Sequence, residues 1–337
     1  MAIYYSHPSI QVNWALDAAV HNAEWPNRKS SIDNNISTSY LARIGWLKTL
    51  EDLGIQAKFI HQDHLLEGML QKGNFKVLLL NRALCLSDAE AAAIKAFSEN
   101  GGTVIADHLC GVFDEHGKAR AAGALDDFFG VKRDLEQGWL DGSALTEVNG
   151  ELDYKSLSPA NWAVKAPLYK EMAVFERGLA AVKNAKGEQA GKASVMVRNG
   201  KAVYMNLSPI GYLLKRGAES SKDWLALVSG LMKDAGVEVR VKLAIDGQPA
   251  QFTEPIFWRN GDRTTLCVVK NLDRRASIDA FGSIESKLGD TKVKLKLQFA
   301  KPVKDLKNER TGKDMGSGTD FEDDFNPWEA NVYTYGN

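Results

Sequence analysis

The sequence predicts an α/β fold, a doubly wound parallel sheet, followed by a small all-β sandwich. Three observations support this prediction. Residues 75–107 have the pattern of a buried strand, a helix and a second buried strand. Strand and helix patterns alternate through the first two thirds of the 337 residues. The last hundred residues alternate apolar and polar side chains with the period of antiparallel strands. We therefore predict two domains, residues 1–236 and 237–337, each long enough to bury its own core.

The first elements are predicted from apolar spacing. A strand at residues 3–5 precedes a helix at 39–53, whose apolar face carries Leu41, Ile44 and Leu47. A second strand is predicted at 55–60 and a short helix at 65–71. Between Ala18 and Thr38 lies a polar stretch that is too long for an ordinary connection, so we expect it to be functional or mobile.

The βαβ unit carries the strongest local signals. An unbroken aliphatic strand at 77–80 suits a sheet that is covered on both faces. Ser87 is a predicted N-cap, and Glu90 three residues later completes a capping box. That helix should run to about Glu99 and end at Gly101-Gly102, before a strand at 103–106. Crossovers of this kind are right-handed.

Shorter, antiparallel segments are predicted from residue 135 to 208. The clearest is a hairpin of strands 194–198 and 201–205, joined by a type I′ turn at Asn199-Gly200. A helix at 221–235 carries Trp224 on its apolar face and stops at Gly236. Acidic runs at 126–127 and 322–324 are interpreted as a helix start and solvated turns.

Polar side chains follow nearly every predicted strand. The carboxyl ends of parallel strands share one edge of the sheet, where ligands bind in doubly wound folds. We therefore expect a polar pocket for a small ligand, or a surface that contributes to a neighbour's active site. The alternative is that these side chains cap helices and satisfy loop carbonyls. The candidate residues are Ser6, His7, His61, Asn81, Arg82, Asp107, His108, Cys110 and Asn206.

Several function classes lack support. A net charge of −1 gives no electrostatic argument for nucleic acid or membrane binding. The grouped residues His61, Asp63 and His64, like those from Asp107 to His116, match no recognised metal-ligand spacing. Phosphate-binding glycine loops are absent from the sequence, so we predict no cofactor and no metal.

Three cysteines without a paired spacing indicate reduced thiols. Because the N-terminus enters a strand at once, we expect a cytoplasmic protein, or a chain that starts at a domain boundary or has lost a signal sequence.

Several segments together resemble a known family. LSDAEAAAIKAFSENGGTVIAD, at 86–107, and GVFDEHGKARAAGALDDFFGV, at 111–131, are similar to the trimerisation domain of family 42 β-galactosidases. IYYSHPS, the stretch 40–60 and AVYMNLSPIGYL at 202–213 fit the same pattern. The resemblance implies a flavodoxin-like, class I glutamine-amidotransferase-like fold, with a C-terminal β-domain like those that close many glycoside hydrolases.

The resemblance implies a non-catalytic assembly module, with a trimer favoured and the catalytic barrel absent. Either a fragment of a longer protein or a natural homologue without a barrel fits that absence. The alternative is a stand-alone carbohydrate-binding protein that uses the polar pocket at the strand ends. Tryptophans predicted outside helices could stack on sugars or pack between domains: Trp25, Trp139, Trp162, Trp258 and Trp328.

A cysteine enzyme is a third hypothesis, because the resembled fold also hosts cysteine nucleophiles. Cys110 with His108 is the local pair to consider. Cys85 has no flanking glycine to permit a strained elbow. All six histidines lie in the first 116 residues. A triad whose histidine comes late in the domain therefore cannot be completed.

Overall fold

The protein's structure, a computed structural model, describes residues 1–20, 38–134, 151–159, 165–167, 174–270 and 290–336. Most of the polar stretch before Thr38, together with Trp25, Trp139 and Trp162, lies outside the described residues. Contacts divide the chain into two units. The first comprises Met1–Trp46, Ala57–Leu213 and Ser220–Val237, and the second comprises Leu47–Gln56, Leu214–Glu219 and Glu238–Asn337. The domain boundary at residue 236 stays a prediction, since the second unit includes two earlier segments.

The first unit contains eleven of the described strands. They are β1 (Ala2–Tyr4), β2 (Lys58–Ile60), β3 (Val77–Leu80), β4 (Thr103–Asp107), β5 (Val131–Lys132), β6 (Glu151–Asp153), β7 (Lys165–Pro167), β8 (Ala180–Ala181), β9 (Lys186–Ala190), β10 (Ala193–Asn199) and β11 (Ala202–Met205). Seven form one sheet in the order β2-β1-β3-β4-β11-β10-β9. The first five in that order are parallel, and β10 and β9 are antiparallel. The predicted α/β fold class is confirmed.

In the sequence, most of the helices of the first unit come between the strands of this sheet. They are α1 (His7–Val20), α2 (Thr38–Asp52), α3 (Gln62–Leu66), α4 (Met69–Lys72), α5 (Asp88–Glu99), α6 (Asp126–Phe129), α7 (Pro209–Lys215) and α8 (Ser221–Asp234), with a 3-10 turn at Tyr154–Leu157. The last residues of α2 and α7 belong to the second unit.

The βαβ unit formed by β3, α5 and β4 agrees closely with its prediction. All four residues of β3 are buried. Ser87 Oγ accepts a hydrogen bond from the backbone N–H of Glu90, and Glu90 Oε2 accepts one from the backbone N–H of Ser87, which is a complete capping box. Trp46 and Trp224 are buried against each other with ring centroids 5.5 Å apart, as expected for core residues.

Three local predictions need correction. The hairpin loop consists of Gly200 and Lys201, because Asn199 already pairs with Ala202. Only the glycine has a positive φ, so the type I′ prediction is wrong. The predicted helix at 65–71 is divided into α3 and α4 by Gly68, whose φ is +75°.

Helix α1 was missed because its start signal is a pair of serines rather than a capping box. Ser6 Oγ accepts hydrogen bonds from the backbone N–H and the hydroxyl of Ser9, at 3.2 Å and 2.7 Å. Serine is a good N-cap, and the sequence of α1 contains no glycine that would weaken the helix.

The acidic runs also differ from their interpretation. Asp126 does begin α6, but its side chain is buried and pairs with Arg133. Glu322-Asp323-Asp324 lies within a strand, and Asp323 is buried, accepting a hydrogen bond from Asn308 Nδ2 at 2.7 Å. In both cases the acidic side chain is buried because it binds a partner outside the acidic run, Arg133 for Asp126 and Asn308 for Asp323.

The C-terminal part of the second unit, from Glu238 onward, is built from β-strands, as predicted. Its strands form one continuous antiparallel sheet: β12 (Val241–Ile245), β13 (Gln248–Pro249), β14 (Thr253–Asn260), β15 (Arg263–Lys270), β16 (Val293–Asn308), β17 (Asp314–Phe325) and β18 (Asn331–Gly336). The early part of β16 pairs with β12 and its later part with β18, with register shifts in between. The sheet therefore curls around an apolar core that includes Leu266, Leu297 and Tyr333.

Removing the capping box should measurably destabilise the protein. We expect Ser87→Ala to lower the free energy of unfolding by about 1–2 kcal/mol, since the Glu90 backbone N–H loses its side-chain acceptor and Glu90 Oε2 loses the hydroxyl donor. Urea denaturation followed by circular dichroism measures this loss. Ser98→Ala, in the last turn of the same helix, is the matched control. Equal losses in the two variants would contradict the capping role.

Candidate functional site

The predicted site residues fall into two groups at the carboxyl ends of the first sheet. Ser6, His7 and His61 line an open pocket beyond β1 and β2. The remaining candidates follow β3, β4 and β11 and lie in or beside a buried ionic cluster: Asn81, Arg82, Asp107, His108, Cys110 and Asn206. The described residues thus form two places rather than one crevice, and ligand binding by these residues stays a prediction.

The Glu176 carboxylate is the centre of the ionic cluster. Its Oε1 accepts hydrogen bonds from the backbone N–H of Leu109, at 2.6 Å, and from the Tyr204 hydroxyl. Its Oε2 accepts a hydrogen bond from Arg133 Nε at 2.8 Å, and both side chains of that pair are 3% exposed. Burial raises the pKa of Tyr204 well above its usual value, so the hydroxyl remains a donor. Charged groups buried this deeply are stable only when they are paired in this way.

Asn206, one of the predicted site residues, holds Glu176 in place. Asn206 Oδ1 accepts a hydrogen bond from the Glu176 backbone N–H at 2.9 Å. Its Nδ2 donates to the carbonyls of Glu176 and Ser194 at 2.8 Å and 3.1 Å. Both donor positions of the amide are therefore occupied by the protein. The geometry gives Asn206 a positioning role.

Asp107 is fully buried at the end of β4. One carboxylate oxygen accepts a hydrogen bond from the Arg82 backbone N–H, and the other accepts one from Trp46 Nε1 at 2.9 Å. Burial raises the pKa of Asp107 to about 6, although both hydrogen bonds oppose the rise. The carboxyl group therefore titrates close to neutral pH.

Arg82 occupies the strained position in the loop after β3. Its φ is +44°, a region that residues other than glycine seldom adopt. The guanidinium donates to Asn13 Oδ1 at 2.8 Å and lies over the Phe175 ring, with Cζ 4.7 Å from the centroid. The strained residue of this loop is thus Arg82, three positions before Cys85, and it carries a guanidinium instead of a thiol.

His108 packs against the same Phe175 ring, with centroids 4.7 Å apart. Burial, reinforced by the charges of Arg82 and Arg133, lowers the pKa of His108 well below its usual value, so the ring is neutral at pH 7. Among the described residues, His108 Nδ1, Arg82 Nε, Arg133 Nη2 and Asn81 Oδ1 are buried without a hydrogen-bond partner. Ordered water is the expected partner for buried polar atoms of this kind.

Neither cysteine of the first sheet has the properties of a nucleophile. Cys110 is fully buried, and burial raises the pKa of its thiol. Burial raises the pKa of Cys85 to about 12. A reactive cysteine needs a lowered pKa and access to the substrate. The geometry therefore does not support the Cys110–His108 pair.

The open pocket has a volume of roughly 330 Å³. Its buried floor includes Tyr4, Ser6, Cys85 and Glu90. Its exposed rim includes residues from the start of α1, the N-cap and first turn of α3, and the turn before Gly117: His7, His61, Gln62, Asp63 and Glu115. Three of the sequence-predicted residues are thus brought together here.

Sequence reasoning missed the residues that hold these places together. Glu176 and Arg133 lie in short segments with no helix or strand periodicity, and their contacts are far apart along the chain. Glu90 was recognised as a cap, but its second role in the pocket floor depends on Tyr4 at the end of β1. No local pattern could have revealed either arrangement.

Two further features of the described residues concern metal binding and membrane insertion. Within the described part of the chain, no group of three or more histidine, cysteine or acidic side chains has the arrangement of a metal site. The same part of the chain contains no helix with the length and apolar character needed to span a membrane.

The titration of Asp107 should be visible in protein stability. Its pKa is about 6 in the fold and 3.8 when unperturbed, so the folded state binds more protons between these values. The free energy of unfolding should therefore fall as the pH rises from 4 to 7, by on the order of 3 kcal/mol from this group alone. Asp107→Asn removes that titration. In urea denaturation, the free energy of unfolding of the wild type should exceed that of Asp107→Asn by most at pH 4, and this difference should decrease toward pH 7. A difference that does not change with pH would contradict this account.

Comparison with known proteins gives a family match for the first part of the chain. The family model described as the β-galactosidase trimerisation domain matches residues 9–238. No curated protein matches the sequence.

Solved structures resemble the fold of the whole chain. Gan42B, a GH42 β-galactosidase from G. stearothermophilus, superposes with a TM-score of 0.59 at 15% identity, over 100% of this chain and 40% of that one. The β-galactosidase of Bacillus circulans sp. alkalophilus gives 0.58 at 15% identity, over 99% and 41%. α-L-Fucosidase isoenzyme 2 from Paenibacillus thiaminolyticus gives 0.50 at 12% identity, over 88% and 45%.

These identities establish likeness of fold. The chain spans about 40% of the length of the two β-galactosidases. The family model covers well over half of the chain, and its range includes most of the unit that contains the mostly parallel sheet. The chain belongs to the β-galactosidase trimerisation domain family.

Proposed function

We propose that this chain is a non-catalytic assembly module related to GH42 β-galactosidases. Its role is to form a homo-oligomer, with a trimer favoured, and so to hold catalytic barrels or a sugar-processing partner in fixed register. The observation that carries the proposal is the match of residues 9–238 to a trimerisation domain family. The fold of the remaining residues also matches part of the GH42 structures.

The chemistry of the sheet edge supports a structural role. Glycoside hydrolysis uses two carboxylates about 5–10 Å apart that face a substrate. In the ionic cluster, Glu176, Asp107 and Asp126 are buried and bonded to protein groups. Such carboxylates position the backbone and are not available to a sugar.

An exposed aromatic patch offers a surface for a second copy of the chain. We define the aromatic patch as Tyr5, Tyr40, Arg43 and Phe59. The three rings are each 41–42% exposed. Tyr5 meets Phe59 edge-on at 6.2 Å, and the guanidinium lies over both tyrosine rings at 5.4 Å and 5.7 Å. Interfaces are enriched in aromatic residues and arginine, and the trimerisation family match indicates another protomer as the occupant.

A reducing, cytoplasmic setting fits this role. Cys85, Cys110 and Cys267 are all free thiols. Proteins of oxidising compartments seldom keep three unpaired cysteines.

Absolute molar mass by light scattering tests the assembly proposal. We expect a trimer, near three times the 37.1 kDa of one chain, over a wide range of protein concentrations. Phe59→Glu with Tyr40→Glu should shift the mass toward that of one chain, because burying two new charges opposes association. Leu66→Glu is the control, since this residue is also exposed but lies outside the patch.

The outcomes separate the two parts of the proposal. A wild-type monomer at every concentration would overturn the assembly module. A trimer that survives the double substitution would leave assembly standing and reject the aromatic patch as its contact surface.

A further inference from the structure

The open pocket lies at the switch point of the first sheet. In the order β2-β1-β3-β4, the connection from β1 leads to one side and the connection from β3 leads to the other. The pocket is lined by residues that follow β1, β2 and β3. Ligands of doubly wound folds bind outside the carboxyl ends of the strands at this point. Position alone therefore makes this pocket the leading ligand site in the described part of the chain.

The pocket floor is held rigid by two sets of hydrogen bonds. In the first, the Tyr4 hydroxyl donates to Glu90 Oε1, while Glu90 Oε2 accepts from the Ser87 hydroxyl at 2.7 Å. In the second, the Ser9 hydroxyl donates to Ser6 Oγ at 2.7 Å and accepts from the Cys85 backbone N–H at 2.9 Å. A preorganised floor reduces the entropy lost on binding.

The rim presents both donors and acceptors. His61 Nδ1 accepts a hydrogen bond from the Asp63 backbone N–H at 3.2 Å, so the neutral ring carries its proton on Nε2 and can donate. The Gln62 amide donates and accepts, whereas the carboxylates of Asp63 and Glu115 only accept. No lysine or arginine is among the described residues that line the pocket.

We propose that this pocket binds a neutral, hydroxyl-rich ligand, a saccharide of one or two rings. Each sugar hydroxyl both donates and accepts, which suits a mixed rim. An anion would face three lining carboxylates with no lysine or arginine beside it, whereas a hydroxyl-rich ligand can use the imidazole and amide N–H groups as donors and the carboxylates as acceptors at the same time. This activity goes beyond assembly and does not depend on it.

The size of the pocket agrees with that class of ligand. A volume of roughly 330 Å³ is at the low end for small-molecule pockets, which run from about 300 to 1,000 Å³. Tyr5 also lines the pocket, but it belongs to the aromatic patch proposed as a protomer contact, so the ligand assignment does not rest on it.

Calorimetric titration of the full chain tests the proposal. The probes are methyl β-galactoside, methyl α-glucoside and lactose, with 1,4-diaminobutane as a cationic comparison and inorganic phosphate as an anionic one. We expect saturable binding of at least one sugar and none of the two charged probes. The titration is run on whichever oligomer the chain forms, so a failed trimer and a failed pocket give different results.

Two variants and two matched controls locate the binding. Glu115→Gln and Gln62→Ala should each raise the dissociation constant about tenfold, the effect of losing one good hydrogen bond to the ligand. Glu99→Gln and Gln71→Ala change exposed residues of the same types on α5 and α4, outside the pocket, and should leave it unchanged.

Each other outcome overturns the proposal. Binding of diaminobutane or phosphate without sugar binding would reject the ligand class. Sugar binding that all four variants retain would reject the site. A flat titration with every probe at millimolar concentrations would reject the pocket as a binding site.

Discussion

The buried Glu176 carboxylate is the interaction on which the edge of the first sheet depends. It joins the loop after β4, the Tyr204 side chain on β11 and Arg133 beyond β5, three segments distant in sequence. Asn206 fixes its backbone from the end of β11. Because ions buried this deeply need complete pairing, each segment constrains the others. The carboxyl end of the sheet is thereby closed at the place where many α/β enzymes hold their catalytic groups.

The other end of the same edge is arranged differently. At β1 and β2 the polar groups surround an open pocket whose floor is buried and whose rim is exposed. One sheet edge thus combines a closed, structural region with an accessible one. This division agrees with the assembly role proposed above, and it leaves the open pocket accessible to the proposed ligand.

The sequence predicted features that depend on neighbouring residues and missed those that depend on distant ones. Ser87 and Glu90 form a capping box within one helical turn, and the prediction was confirmed to the residue. Polar residues after each strand were recognised because strand ends share an edge. Which of these residues join the ionic cluster and which line the pocket depends on Glu176, which lies in a segment without periodicity. It also depends on the positive φ of Arg82, which no glycine in the sequence indicates.

A double-mutant cycle on Arg133 and Glu176 tests the central claim most directly. Arg133→Met should lower the free energy of unfolding by about 3–5 kcal/mol, because it leaves the buried carboxylates of Glu176 and Asp126 without their cation. Glu176→Met should cost less, because Arg133 keeps its pairing with Asp126. The combined variant should cost at least about 2 kcal/mol less than the sum of the two, which denaturant unfolding can resolve. Losses that simply add would contradict the account, since they would mean that the two residues do not stabilise the sheet edge through each other.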